Sequence, residues 1–202
     1  MNKNKNISIS FIDDYFRKIS LISNKMISKE IDDLINQLVL LKKRKGRLFF
    51  LGVGGSAGNS SHAVNDFRKL CNIESYSPTD NVSELTARIN DEGWESSFVN
   101  WLKVSKINKK DSIFIFSVGG GNKKKNISTN LIKAIDYSKK KKIKVFGVIG
   151  KNDGYAKKKG DNVIVIPEID KKMVTPFSEA FQAVIWHCLI SHPLLQENNT
   201  TW

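Results

Sequence analysis

Two side chains suited to acid–base chemistry or metal binding, His62 and Asp66, stand four residues apart just after a glycine-rich turn. At this spacing two residues share one face of a helix, with their Cβ atoms about 5–6 Å apart. The pair therefore indicates a proton-transfer or metal-binding site. The bland alternative is that His62 is simply a polar helix residue and that Asp66 pairs on the surface with Arg68 or Lys69.

The turn before this pair has the composition of an anion cradle. An apolar run, residues 48–53, predicts a strand buried on both faces, and the stretch Val53-Gly54-Gly55-Ser56 then leads into a helical pattern. The start of a helix presents unpaired N–H groups at the positive end of its dipole, which suits phosphate. Residues 52–57 also satisfy the G-x-G-x-x-A dinucleotide pattern, and Glu74 has the spacing of its acidic partner, but residues 71–73 make a poor second strand.

The remaining elements alternate in a way that predicts an α/β fold. Apolar residues at helical spacing over 7–22 and 31–41 predict two N-terminal helices, broken near residues 23–25. Further strands are predicted at 113–118, 145–149 and 162–166, and helices at 82–86, about 126–139, and from Pro176 to Pro193. Residues 89–93 are predicted to break the helix that Asp80 or Asn81 caps. We therefore expect a three-layer αβα sandwich with a mainly parallel sheet, one domain over 1–202 that includes a helical hairpin over 1–45.

Composition narrows the class of protein. The chain has 202 residues and a net charge of +13, yet only five of its 33 basic residues are arginines, and the lysines come in short runs. This favours a solvated basic surface that attracts an anionic small molecule over nucleic-acid binding. Two cysteines make no disulfide framework, no apolar run is long enough for a membrane helix, and the first residues lack the core of a signal peptide. We expect a cytoplasmic protein that binds neither nucleic acid nor membrane.

Several motifs in order resemble the sugar isomerase (SIS) domain family, and within it most closely the phosphoheptose isomerases. They are Gly-Gly-Ser-Ala-x-x-x-x-His from Gly54, Thr-Asp-Asn-Val-Ser-x-Leu-Thr-Ala from Thr79, and Asn90-Asp91. The resemblance covers nearly the whole chain. It implies that a phosphorylated sugar is bound by Val53, Gly54, Gly55, Ser56, Asn90, Asp91, Ser117, Gly119 and Glu179. It also implies a metal site formed by His62, Asp66, Glu179 and His187.

Three departures from the family pattern stand out. Asp66 replaces a glutamate that serves as base and metal ligand, and Glu179 replaces a glutamine. The second loop, Ser117 to Lys123, has glycines where the family has phosphate-binding hydroxyls. Moreover, Glu179 and His187 are eight residues apart, about 12 Å along one helix. Either the last helix starts after Glu179, or one of the two serves a neighbouring subunit.

The resemblance implies an aldose–ketose isomerase that acts through an enediol, with Asp66 as base and His187 as acid. It further implies a divalent ion and a homotetramer with sites at subunit interfaces. Two imidazoles and carboxylates are ligands that suit zinc, so zinc is the expected ion. A rival function is a non-catalytic SIS module that binds a sugar phosphate to regulate or scaffold. His187 also has an alternative as a core histidine, because it sits among apolar residues, and Trp186 is predicted to be core.

Overall fold

Helices and strands alternate along the chain, as the sequence predicts. The computed structural model describes the backbone of residues 2–200 and the side chains of residues 10–200, so both ends of the predicted domain and the start of the apolar pattern of the first helix lie outside the described part. The helices are α1 (Asn2–Asn24), α2 (Ser28–Lys43), α3 (Gly55–Cys71), α4 (Val82–Glu92), α5 (Ser97–Val104), α6 (Thr129–Lys140), α7 (Tyr155–Lys159) and α8 (Val174–Ile190). The strands are β1 (Leu48–Leu51), β2 (Ser75–Tyr76), β3 (Ser112–Ser117), β4 (Lys144–Ile149) and β5 (Asn162–Val165). Short 3₁₀ turns, Pro78–Asp80 and Lys171–Met173, precede α4 and α8.

The strands form one five-stranded parallel sheet in the order β2-β1-β3-β4-β5. All the residues of β1 and β3 are buried, which explains why the sequence shows unbroken apolar runs there instead of alternation. Along β1, Phe50 faces one side of the sheet and Phe49 the other. The predicted mainly parallel sheet is confirmed.

Helices cover both faces of this sheet and make two cores. The face that Phe50 enters is packed by α1, α2, α3 and α8, and the face that Phe49 enters is packed by α5, α6 and α7. The predicted N-terminal hairpin is present, and Ile22 and Leu38 bring its two helices into the first core. The predicted three-layer αβα sandwich is confirmed.

Two details differ from the sequence prediction. Helix α7, with five residues of which three are lysines, was not predicted, whereas β2 is a two-residue strand within residues 73–78, which the sequence predicts to be irregular or a short strand. The helix capped by Asn81, whose side chain accepts from the Glu84 N–H, does not break at 89–93 but runs to Glu92 and ends at Gly93, which has φ +84°. Because no residue of α4 is buried, a polar Asn-Asp pair near its end carries no desolvation cost and does not stop the helix.

The strand order fixes where a ligand is expected. The chain leaves β1 for β2 on one side and reaches β3 on the other, so the direction of winding reverses between β1 and β3. In open parallel sheets ligands bind beyond the carboxyl ends of the strands at such a point. Both glycine-rich turns, the one after β1 and the one after β3, lie there. Among the helices described, none combines the length and the apolar character needed to cross a bilayer.

Candidate functional site

His62, Asp66 and His187 come together where α3 packs against α8. His62 Nε2 and His187 Nε2 each lie 3.5 Å from the same oxygen, Oδ2 of Asp66, and one ligand atom from each residue lies within 4.8 Å of the others. The carboxylate of Asp66 is buried, whereas the side chains of His62 and His187 are about half exposed, 57% and 52%. The three form a cluster, called here the triad, with a carboxylate floor and two imidazoles open to the outside.

The donor set of the triad fits a zinc ion. Zinc bonds of about 2.0–2.1 Å in tetrahedral geometry place neighbouring ligand atoms about 3.3–3.5 Å apart. The two imidazole–carboxylate separations of 3.5 Å match that spacing. Two imidazoles and one carboxylate are also the ligand set of a catalytic zinc site that keeps a position open for substrate. The half-exposed rings leave room for that position.

The carboxylate of Asp66 is held by two further groups. The indole Nε1–H of Trp186 donates to Oδ2 at 2.9 Å, and the amide of Asn65 donates to Oδ1 at 3.1 Å. Trp186 is 2% exposed and packs against Phe116. The prediction that Trp186 is a core residue therefore holds for its ring, but it did not include the hydrogen bond made by its N–H. A buried Trp usually finds a partner for its N–H. Because Trp186 directly precedes a candidate site histidine, that rule would have indicated from the sequence that its N–H has a partner near the site.

Behind the first glycine-rich turn, a buried amide ties α3 to α8. Gln182, which has no exposed surface, donates to Ser56 Oγ at 3.0 Å and accepts from the Asn59 amide at 2.8 Å. Sequence reasoning missed Gln182 and Asn59, although a glutamine on the apolar stripe of α8 must have buried partners. The hydroxyl of Ser56 points into this network and is 2% exposed. The open part of the turn is Gly54 and Gly55, with Gly54 at φ +63° just before α3 begins.

Glu179 does not join the triad. Its carboxylate lies against Gly55, where a Cβ added to that glycine would be 2.6 Å from both carboxylate oxygens. Helix α8 runs unbroken from Val174 to Ile190, so it contains both Glu179 and His187 and separates them by about 12 Å along its axis. The alternative in which the helix starts after Glu179 is therefore wrong. Within one chain, Glu179 stands beside the anion cradle and His187 stands in the triad.

The second glycine-rich turn is closed by its own contacts. Ser117 Oγ accepts from the Gly120 N–H at 3.0 Å, and the carbonyls of Gly120 and Gly121 accept from the N–H groups of Ala156 and Tyr155. Both of these glycines have positive φ, +67° and +84°. The glycines thus serve a close packing of this turn against the start of α7. Only Gly119 has open space at its Cα, with nothing within 4 Å of an added Cβ.

The remaining predicted residues lie apart from the triad. Asn90 and Asp91 are exposed near the end of α4, where the Asn90 amide donates to the Asp91 carboxylate at 2.7 Å. Val53 is half-buried at the first turn. A cavity of about 520 Å³ lies at the carboxyl ends of β4 and β5, lined by residues 150–153 and 165–168, and includes none of the predicted site residues. The triad is thus an open surface cluster in a single chain.

Comparisons with known proteins identify the family of the chain. No protein-family model matches the chain. The phosphoheptose isomerase of Leptospira biflexa is 31% identical over 158 residues, 74% of each chain. The chain belongs to the phosphoheptose isomerase family. The phosphoheptose isomerase of Helicobacter pylori strain P12 matches over more of its length, at 23% identity over 193 residues that cover 90% of this chain and 97% of that one.

The fold agrees with this family. The structure of phosphoheptose isomerase from Neisseria gonorrhoeae superposes with a TM-score of 0.77, covering 93% of this chain and 98% of that one at 16% identity. The chain therefore has the SIS fold over nearly all of its length, with the N-terminal helices included. The phosphoheptose isomerase resemblance seen in the motifs is confirmed.

Proposed function

We propose that the protein is a sugar-phosphate isomerase that moves a carbonyl between C1 and C2 of a ketose phosphate of the sedoheptulose 7-phosphate type. The observation that carries the proposal is the triad, in which two open imidazoles share one oxygen of a buried carboxylate. Family membership supports the same reaction class. The alternative of a surface-paired Asp66 loses support, since that carboxylate is buried between α3 and α8.

The reaction requires a base near carbon and a proton donor near oxygen. In the proposed mechanism Asp66 removes a proton from the carbon next to the carbonyl, and His187 donates a proton to the carbonyl oxygen, giving an enediol. Asp66 then returns the proton to the neighbouring carbon while His187 takes the hydroxyl proton from the first carbon's oxygen, which forms the new carbonyl and restores both side chains. His62, Asp66 and His187 would hold a divalent ion, and their ligand types suit zinc. When bound, such an ion polarises the substrate carbonyl.

The phosphate would be held by the first turn. The N–H groups at the start of α3, from Gly54, Gly55 and Ser56, supply an anion cradle at the positive end of a helix dipole. Glu179 lies beside that cradle, so in this chain a carboxylate and the phosphate would be neighbours. The second turn would contribute through backbone groups around Gly119 and through the Ser117 hydroxyl, which accepts from the Gly120 N–H and keeps its own proton to donate.

We also propose that the working form is a cytoplasmic homotetramer that completes the site between chains. On α1, Phe11 and Phe16 are 61% and 62% exposed, and on α8, one turn before His187, Val184 is 53% exposed. Exposed large apolar side chains of this kind suit burial against a second copy. Such a copy could bring Asn90, Asp91 and its own Glu179 to the triad. A monomer at micromolar concentration in light scattering would contradict this assembly.

The rival function, a non-catalytic sugar-phosphate-binding module, is favoured by one observation. In the second turn the Gly120 N–H is already bonded to Ser117 Oγ, and glycines stand where the family pattern has hydroxyls, so the turn offers a phosphate fewer donors. Turnover separates the two functions. The protein should convert sedoheptulose 7-phosphate to an aldose phosphate and incorporate solvent deuterium at C2 in D₂O, both visible by NMR. Saturable binding without product or deuterium exchange, for a panel of five- to seven-carbon ketose phosphates, would favour the module.

A further inference from the structure

Trp186 is the buried partner of the triad. Its indole Nε1–H lies 2.9 Å from Asp66 Oδ2, the oxygen that both imidazoles approach at 3.5 Å. The contact joins α8 to α3 and is buried, since Trp186 is 2% and Asp66 8% exposed. A hydrogen bond to a charged acceptor in such surroundings is stronger than one in water.

The geometry gives this contact a directional consequence. An aspartate side chain can rotate about two bonds, and its two oxygens are equivalent until a neighbour distinguishes them. Here the rigid indole, seated in the core against Phe116 at 5.7 Å between ring centroids, fixes Oδ2. The other described hydrogen bond comes from the exposed Asn65 amide and reaches Oδ1. The buried donor, not the exposed one, therefore sets which oxygen faces the imidazoles.

The rings of the two histidines also contact the indole ring of Trp186. The ring of His62 lies 5.3 Å from that of Trp186, edge-on, and the ring of His187 lies 4.8 Å away. One side chain thus contacts all three members of the triad.

We propose that Trp186 is a positioning residue, whose indole N–H holds the short carboxylate of Asp66 between His62 and His187. The proposal rests on the proposed function for its catalytic meaning, but the arrangement it describes exists in the unliganded chain. Groups that orient a metal ligand or a catalytic carboxylate in this way are worth about 10- to 100-fold in metal affinity or activity.

The test removes the N–H and keeps an aromatic ring in the core, in Trp186→Phe. The matched control is Trp101→Phe, another buried tryptophan, which packs edge-on to Phe49 in the other core and makes no hydrogen bond through its indole among the described residues. Both variants lose similar ring area, so both should lower the melting temperature. Only Trp186→Phe should weaken binding of Co²⁺ alone, by about tenfold, followed by the visible absorption of the ion.

Indole NMR supplies a readout that needs neither metal nor turnover. The indole N–H signal that disappears in Trp186→Phe should shift in Asp66→Asn, because a neutral amide oxygen replaces the carboxylate as acceptor. The signal that disappears in Trp101→Phe should stay in place. With a turned-over sugar phosphate, Trp186→Phe should lower kcat about tenfold and leave KM within twofold, since the anion cradle is untouched.

Two outcomes overturn the inference. One is equal Co²⁺ affinity in Trp186→Phe and Trp101→Phe, and the other is a Trp186 indole signal that ignores Asp66→Asn. Absence of isomerase activity in the wild type would refute the proposed function alone, because the Co²⁺ and indole measurements do not depend on turnover.

Discussion

Replacing Asp66 by Asn tests the proposed chemistry with little change of shape. The amide has nearly the volume of the carboxylate, and its oxygen can still accept from the Trp186 indole, which now lies 2.9 Å from Oδ2. What disappears is the negative charge and the ability to take a proton. Changing a charged acceptor to a neutral one costs about 1 kcal/mol in hydrogen bonding. The fold should therefore survive, with a modest fall in melting temperature.

Activity should fall far more than stability. Loss of a general base costs at least about a hundredfold in rate, and a hundredfold corresponds to about 2.7 kcal/mol of barrier. The same change removes one of three candidate ligands, so affinity for Zn²⁺ should fall as well. Weak phosphate binding should persist, because the N–H groups at the start of α3 do not involve the carboxylate.

The assay compares kcat for sedoheptulose 7-phosphate, or for whichever ketose phosphate the wild type converts, between Asp66→Asn and a control. Asp33→Asn is a suitable control, because Asp33 is an exposed aspartate on α2 that pairs with Lys29 at 3.1 Å. The control should keep wild-type kcat. If Asp66→Asn also turns over at the wild-type rate, Asp66 has no part in proton transfer and its burial beside Trp186 is structural.

Three further results are expected. Glu179→Gln should lower KM for a sugar phosphate about fivefold, because it removes a carboxylate beside the phosphate cradle. Near the surface, where the effective dielectric constant is high, the repulsion between the carboxylate and the phosphate is about 1 kcal/mol. A raised KM in steady-state kinetics would instead make Glu179 a substrate ligand. The untagged protein should purify with about one divalent ion per triad, and a chelator should lower both activity and melting temperature, because the ion binds only the folded state; elemental analysis without stoichiometric metal would contradict this. Burial raises the pKa of Cys71 to about 12, whereas Cys188 is exposed, so a thiol-labelling reagent at pH 8 should modify one cysteine in the native protein and two after unfolding, as mass spectrometry would count.

The fold was accessible from the sequence wherever burial leaves a pattern. Strand β3 is buried at every residue, so its apolar run identified it, and the N-terminal helices showed their buried stripe at helical spacing. For β2 the sequence left two possibilities, an irregular segment or a short strand, because Ser75 and Tyr76 are too few to show a period and are paired only with β1. The end of α4 was mispredicted because no residue of that helix is buried, so the polar Asn-Asp pair does not stop it and the helix runs on to Gly93, where φ is positive.

In the site, too, contacts within one helix could be predicted from the sequence, whereas contacts between distant segments could not. His62 and Asp66 are i and i+4 on one helix, so their proximity follows from helix geometry alone. His187 reaches them from α8 across the packed helices, and only the family resemblance named it in advance. Glu179 was grouped with them by the same resemblance, yet the regularity of α8 keeps it about 12 Å from His187 within one chain.

Asp66, where the family pattern has a glutamate, shows why the sequence alone could not predict all the residues of the site. A carboxylate shorter by one methylene needs either a closer partner or a firmer hold, and Glu179 is the other carboxylate that departs from the family pattern. The structure puts Glu179 against Gly55 and puts a neutral donor, the indole of Trp186, on Asp66. A tryptophan in an apolar helix looks the same in sequence whether its N–H is idle or occupied. What distinguishes the two cases is the direction of one N–H bond across a helix interface, and that is set by packing between segments 120 residues apart.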